Sequence, residues 1–111
     1  MSDILVFVEH IQGKVADITY IGLAQAKAIA GAVGGKVQAV LLGKDKSMAD
    51  NLSADEVLYV EHPSLAEFSY DAYSKVLADI IKEKNPALVI LGDTSIGSDL
   101  ASGLSARLDL P

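Results

Sequence analysis

The 111-residue chain has no cysteine and no tryptophan, only two phenylalanines and only three prolines. Without cysteine there can be no disulfide, no thiolate zinc site and no thiol nucleophile, which suits a reducing compartment such as the cytoplasm. So few aromatics provide no stacking platform for nucleic acid. Nine basic residues are scattered among fifteen acidic ones, for a formal net charge of -6, so the clustered cationic face that a nucleic-acid partner requires is missing. No apolar run approaches the ~18 residues of a membrane span. The start, MSDILVFVEH, has an acid where a secretory signal carries basic residues. The remaining composition is ordinary, 50% hydrophobic and 22% charged, in a length that suits one domain.

The most telling stretch is residues 87–111, ALVILGDTSIGSDLASGLSARLDLP. Five apolar residues, Ala87 to Leu91, break at Gly92-Asp93-Thr94-Ser95-Ile96-Gly97-Ser98. A helical pattern follows, with Leu100, Leu104 and Leu108 on one face. Strand, glycine-bounded loop and helix is the form of a nucleotide-handling α/β unit, because free amides at a helix N-terminus favour anions.

Earlier segments repeat the alternation. Ile4 to Val8 is a short apolar run suited to a strand buried on both faces of a parallel sheet. Glu9-His10 and the polar Gln12-Gly13-Lys14 follow. From Asp17 or Thr19 to Val33 the pattern is helical, with Leu23, Ala26, Ile29, Ala30 and Val33 as its stripe and Gly34-Gly35 as its stop. Its alanines suit close approach to a sheet. Val37 to Leu42 is a second strand, ended by Gly43, and Lys44 to Leu52 reads as a short helix or turn. Glu56 to Val60 is a third, short strand broken by His62-Pro63, after which Ser64-x-x-Glu67 has the form of a capping box. Ser69 to Lys84 is the clearest helix, with Tyr73, Val76, Leu77, Ile80 and Ile81 on one stripe; Asn85-Pro86 ends it, and Ala87 to Leu91 is the fourth strand.

Strands alternating with helices predict an α/β fold built on an open, mostly parallel sheet. Right-handed crossovers favour the strand order 3-2-1-4. The ligand crevice then lies beyond the carboxyl ends of strands 1 and 4, at Glu9-His10 and Gly92-Asp93-Thr94. Strand 4 is left as an exposed apolar edge, with Leu110-Pro111 directly after the last helix. That predicts an incomplete sheet, either a piece of a longer polypeptide or an edge covered by a partner.

Candidate sites are few. Gly92 and Gly97 allow close backbone approach, and Thr94 and Ser98 offer hydroxyls, so this loop is a candidate phosphate site. Its structural alternative is that Ser98 or Asp99 caps the helix and the glycines make the turn. Asp93 would repel a phosphate unless it turns away. After strand 1 the chain reads EHIQGKV rather than G-x-G-x-x-G, so a dinucleotide turn is absent, as is a Walker loop. Glu9 beside His10 suggests a general base, yet neighbours on an extended strand point to opposite faces. His62 leaves a strand two positions from strand 1, about 10 Å away, which makes a zinc bridge to His10 geometrically poor. The repeat Val-Glu-His at 8–10 and 60–62 carries no evident meaning. No G-x-S-x-G elbow occurs, no serine has an evident base, and Tyr59, Tyr70 and Tyr73 cluster only in sequence. No catalytic residue is identified.

Several segments together resemble the N-terminal domain of the alpha subunit of electron transfer flavoproteins. They are ILVFVEH at the start, Thr19 to Ala30, KVQAVLLG before Lys44, ADEVLYVEHPSL at 54–65, and Val89 to Leu108. The resemblance spans essentially the whole chain and rests on order and spacing. It implies a Rossmann-like fold, close to that of adenine-nucleotide alpha-hydrolases. It also implies an electron carrier working with a beta subunit, dehydrogenases and an acceptor. FAD would be held mainly by a C-terminal domain beyond residues 1–111, leaving this chain as scaffold and interface, and the related beta subunit is the usual home of AMP. Two positions depart from the family pattern: Ile21 stands where a Glu is usual, and Ser102-Gly103 where Pro-Arg is usual, which puts any contact made by that arginine in doubt. The alternative is a stand-alone adenine-nucleotide module of the universal-stress-protein kind, which has a similar sheet.

Overall fold

The computed structural model describes residues 3–11 and 13–109. The sequence features at Met1, Ser2, Gln12, Leu110 and Pro111 lie outside the described residues. Four parallel strands form the central sheet: β1 (Ile4–Phe7), β4 (Val37–Gly43), β5 (Glu56–Glu61) and β6 (Leu88–Ile90). Their spatial order is β5-β4-β1-β6. This is the expected order 3-2-1-4, with the third strand paired along its full length to β4 from Gln38↔Glu56 to Gly43↔Glu61.

The inner strands β1 and β4 are apolar at all positions but Gln38 because both of their faces are covered. Side-chain alternation divides each run between two cores. Ile4, Val6, Val8, Val37, Ala39 and Leu41 point to one face, which α1 (Asp17–Val33) covers with Leu23, Ala26 and Ala30. Leu5, Phe7, Val40 and Leu42 point to the other, beneath α2 (Tyr70–Lys84) and α3 (Ser95–Leu108). The step from β1 to β4 runs one way across the sheet and that from β5 to β6 runs the other way. Right-handed crossovers therefore place α1 and α2 on opposite faces.

Helix α1 lies close to the sheet, as its small residues suggest. A Cβ at Gly22 would stand 3.5 Å from Ile90 Cγ2 and 3.6 Å from Val6 Cγ1, ordinary contact. Its buried arc is narrower than the sequence stripe implied. Leu23, Ala26 and Ala30 are buried, but Ile29 and Val33 are exposed. They continue the flank of Ile21 and Gln25 at helical spacing, and β6 covers too little of that side to bury them. Gly34 closes α1 with a left-handed φ of 76°, its amide bonded to Ala30 O.

Several local expectations give way. The polar excursion after Glu9-His10 is a small antiparallel hairpin, β2 (His10–Ile11) with β3 (Lys14–Val15), turned at Gly13 with φ +78°. A 3-10 turn at Lys46–Ala49 follows Asp45, whose carboxylate accepts from the Ser47 amide and hydroxyl and lies below the usual carboxylate range for that reason. The Ser64/Glu67 capping box is not formed. Instead, the His62 ring accepts from the Ser64 amide at the head of a 3-10 turn at Pro63–Leu65. The last helix begins three residues before Ser98, capped by Thr94 rather than by Ser98 or Asp99.

Candidate functional site

Between β1 and β6 the strand order reverses, and an open α/β sheet presents its crevice beyond the carboxyl ends of two such strands. Glu9 follows β1 and Thr94 follows β6, and the crevice is bridged by their side chains. The Thr94 hydroxyl donates to Glu9 Oε1 at 2.6 Å and accepts from the Gly97 amide at 3.0 Å. The Ser98 amide reaches Thr94 O at 2.8 Å. Thr94 thus satisfies first-turn amides of α3 and ties them to a carboxylate that is only 6% exposed.

Glu9 is held by its backbone as well as its side chain. Its amide donates to Thr19 Oγ1 at 2.9 Å, and that hydroxyl lies 3.3 Å from Glu9 O, which also accepts the Ala16 amide at 2.8 Å. Thr19 is buried in the first turn of α1. Glu9 therefore joins the starts of two helices over the end of β1, α1 through its backbone amide and carbonyl and α3 through its carboxylate.

The glycines of the loop are required by packing. A Cβ on Gly97 would overlap the Gly92 carbonyl, and one on Gly92 would lie 3.0 Å from Ile18 Cγ1 and Cγ2. The loop is folded onto the helix start. Among the candidate phosphate residues, Gly92, Thr94 and Gly97 come together here, with Thr94 already committed to Glu9 and Gly97, while Ser98 is exposed one turn along. Asp93 is exposed at the crevice mouth. A cleft of about 210 Å3 opens beside it, between Ile18, Ile21 and Gln25 of α1 and Ile90 to Asp93.

His10 turns away from Glu9, as strand alternation predicts. Its Nε2 lies 2.5 Å from Leu42 O; since a carbonyl only accepts, this nitrogen carries the proton. Nδ1 is buried with no partner. The Tyr73 hydroxyl donates to Leu65 O at 2.6 Å and lies 3.2 Å from Leu42 O and 3.4 Å from His10 Nε2. Burial, with the nearby Glu67 charge adding to it, pushes the Tyr73 phenol up to about 12. Phe7 and Phe68 meet its ring edge-on, with centroids 6.1 and 5.2 Å away. His62 is exposed and bonded to Ser64, apart from this group. Tyr59 is hydrogen-bonded to Glu61, and Tyr70 lies over Gly103 so closely that a Cβ there would overlap its hydroxyl. Ile21 is 54% exposed.

Sequence reasoning placed Glu9 and Thr94 at the same crevice but missed both their bond and the part played by Thr19. The strand order held the signal, since it makes the ends of β1 and β6 neighbours.

Fold and crevice define an open parallel α/β domain with a crevice at its topological switch point. The model for the electron transfer flavoprotein domain matches residues 4–111, so the chain belongs to that family. It is 36% identical over 110 residues to the acryloyl-CoA reductase electron transfer subunit beta of Anaerotignum propionicum, covering 96% of this chain and 30% of that protein. It is 38% identical over 107 residues to the electron transfer flavoprotein subunit alpha of Clostridium acetobutylicum, covering 93% and 32%. With that of Bacillus subtilis it shares 37% over 109 residues, covering 95% and 33%. The chain spans about a third of the length of these curated relatives.

Proposed function

We propose that these residues form the N-terminal α/β domain of an electron transfer flavoprotein alpha subunit. The complete subunit would pair with a beta subunit in the cytoplasm and carry electrons from dehydrogenases to an acceptor through FAD. The observation carrying this reading is the family match over residues 4–111, with relatives named as alpha or electron transfer subunits and three times as long. Among the described residues no helix is long and apolar enough to cross a membrane.

The crevice does not fit the diphosphate of a flavin. Glu9 occupies it, Asp93 flanks it, and the Gly92 carbonyl closes on Gly97. The cofactor belongs on the remainder of the polypeptide, and the work of this domain is to hold a rigid wall for the other parts. A free sheet edge fits such a piece. Among the described residues β6 pairs only with β1, Leu88 on it is 41% exposed, and an apolar cleft of about 300 Å3 lies beneath it, lined by Ile81, Leu88, Val89 and Leu104. Because α3 shares its face with α2, a right-handed crossover continuing from α3 would lead a further strand onto that edge. The occupied crevice also makes the stand-alone adenine-nucleotide module the less favoured reading.

The test is reduction of the complete protein. Co-expressed with the second subunit, it should purify with flavin that its cognate dehydrogenase reduces in the presence of substrate. A purified pair that carries no flavin, or whose flavin no dehydrogenase reduces, would remove the proposal.

A further inference from the structure

We infer that Glu9 is a built-in anion: its carboxylate fills the place at the start of α3 where a domain of this topology would take a ligand phosphate. Three observations converge on it. The residue sits at the switch point between β1 and β6, where open α/β sheets bind ligands. Its carboxylate accepts from the hydroxyl that caps α3, so the positive end of that helix faces an anion supplied from 85 positions away in the chain. It is also buried, 6% exposed and held through its backbone by Thr19 and Ala16.

The consequence is specificity by exclusion. A phosphate entering the crevice would meet a fixed negative charge at hydrogen-bond distance from its own best donor, with Asp93 at the mouth. The glycine-bounded loop keeps the form of a nucleotide site while the Thr94 hydroxyl and the Gly97 and Ser98 amides are used internally. This inference stands independently of the electron-carrier reading, since it concerns only what the crevice accepts.

The experiment titrates the full chain with inorganic phosphate and with AMP, comparing wild type, Glu9→Gln and Glu9→Ala by calorimetry and thermal melting. Wild type should show no saturable binding of either up to about 10 mM. Glu9→Gln keeps an oxygen for the Thr94 hydroxyl and loses the charge. It should stay folded and bind phosphate saturably, with a Kd of about 1 mM or below. Glu9→Ala should melt lower, and phosphate or formate should raise its midpoint saturably where chloride at equal ionic strength does not. Saturable phosphate or AMP binding by wild type that Thr94→Val abolishes would overturn the inference. So would a folded Glu9→Gln that gains no affinity, and this variant decides the matter if Glu9→Ala does not fold.

Discussion

Single glycines separate two roles that composition alone cannot. Gly97 lies against the Gly92 carbonyl with no room for a Cβ, whereas Gly31 on α1 faces open space. Gly97→Ala should therefore lose about 3 kcal/mol or more, since backbone must move to admit the methyl. Gly31→Ala should gain about 1 kcal/mol from helix propensity. Urea denaturation of the two variants reads both signs. Tyr73 makes a pH prediction. Its phenol is raised from 10 to about 12, so its contribution is fully present below pH 10 and is lost as pH rises from there through about 12. Tyr73→Phe should flatten the fall in stability over that window, and at neutral pH cost about 1–2 kcal/mol by leaving Leu65 O without its donor. A variant whose alkaline stability still falls as steeply would show that another group is responsible. The close approach at Gly97 was legible in sequence from the two glycines that bound the loop, whereas the buried hydrogen bond from Tyr73 to Leu65 O was not, because periodicity assigns Tyr73 only to an apolar stripe.

Secondary structure was far more legible. Parallel strands buried on both sides carry continuous apolar runs, and Ile4–Phe7, Val37–Gly43 and Leu88–Ile90 announce themselves that way. The hairpin did not, since two-residue strands are too short to show a period. The start of α3 was misplaced because Thr94, Ser98 and Asp99 are all good caps. The choice among them was made by Glu9, which gives Thr94 a second partner. The exposed Ile29 and Val33 were read as core because periodicity defines a stripe without saying how much of it the neighbours cover. The element most open to test is β6. Hydrogen exchange should find its outward amides fast in residues 1–111 alone and protected in the complete polypeptide if, as proposed, a further strand pairs with them there. Equal rates in both would show that the edge stays free.

At the scale of the molecule, sheet order followed from connection rules and was correct before any coordinates, and the crevice position followed from the order. What the crevice holds did not follow, because a carboxylate after a strand can face solvent, a ligand or another loop. Here it faces the loop, hydrogen-bonded to Thr94. The central claim is that flavin sits outside these residues in a larger assembly. Its most direct measurement is flavin content by visible absorbance, taken on residues 1–111 after incubation with FAD and on the complete polypeptide purified with its second subunit. The expected result is no retained flavin on the first and bound flavin on the second. Stoichiometric FAD on residues 1–111 alone, or a colourless complete assembly, would contradict it.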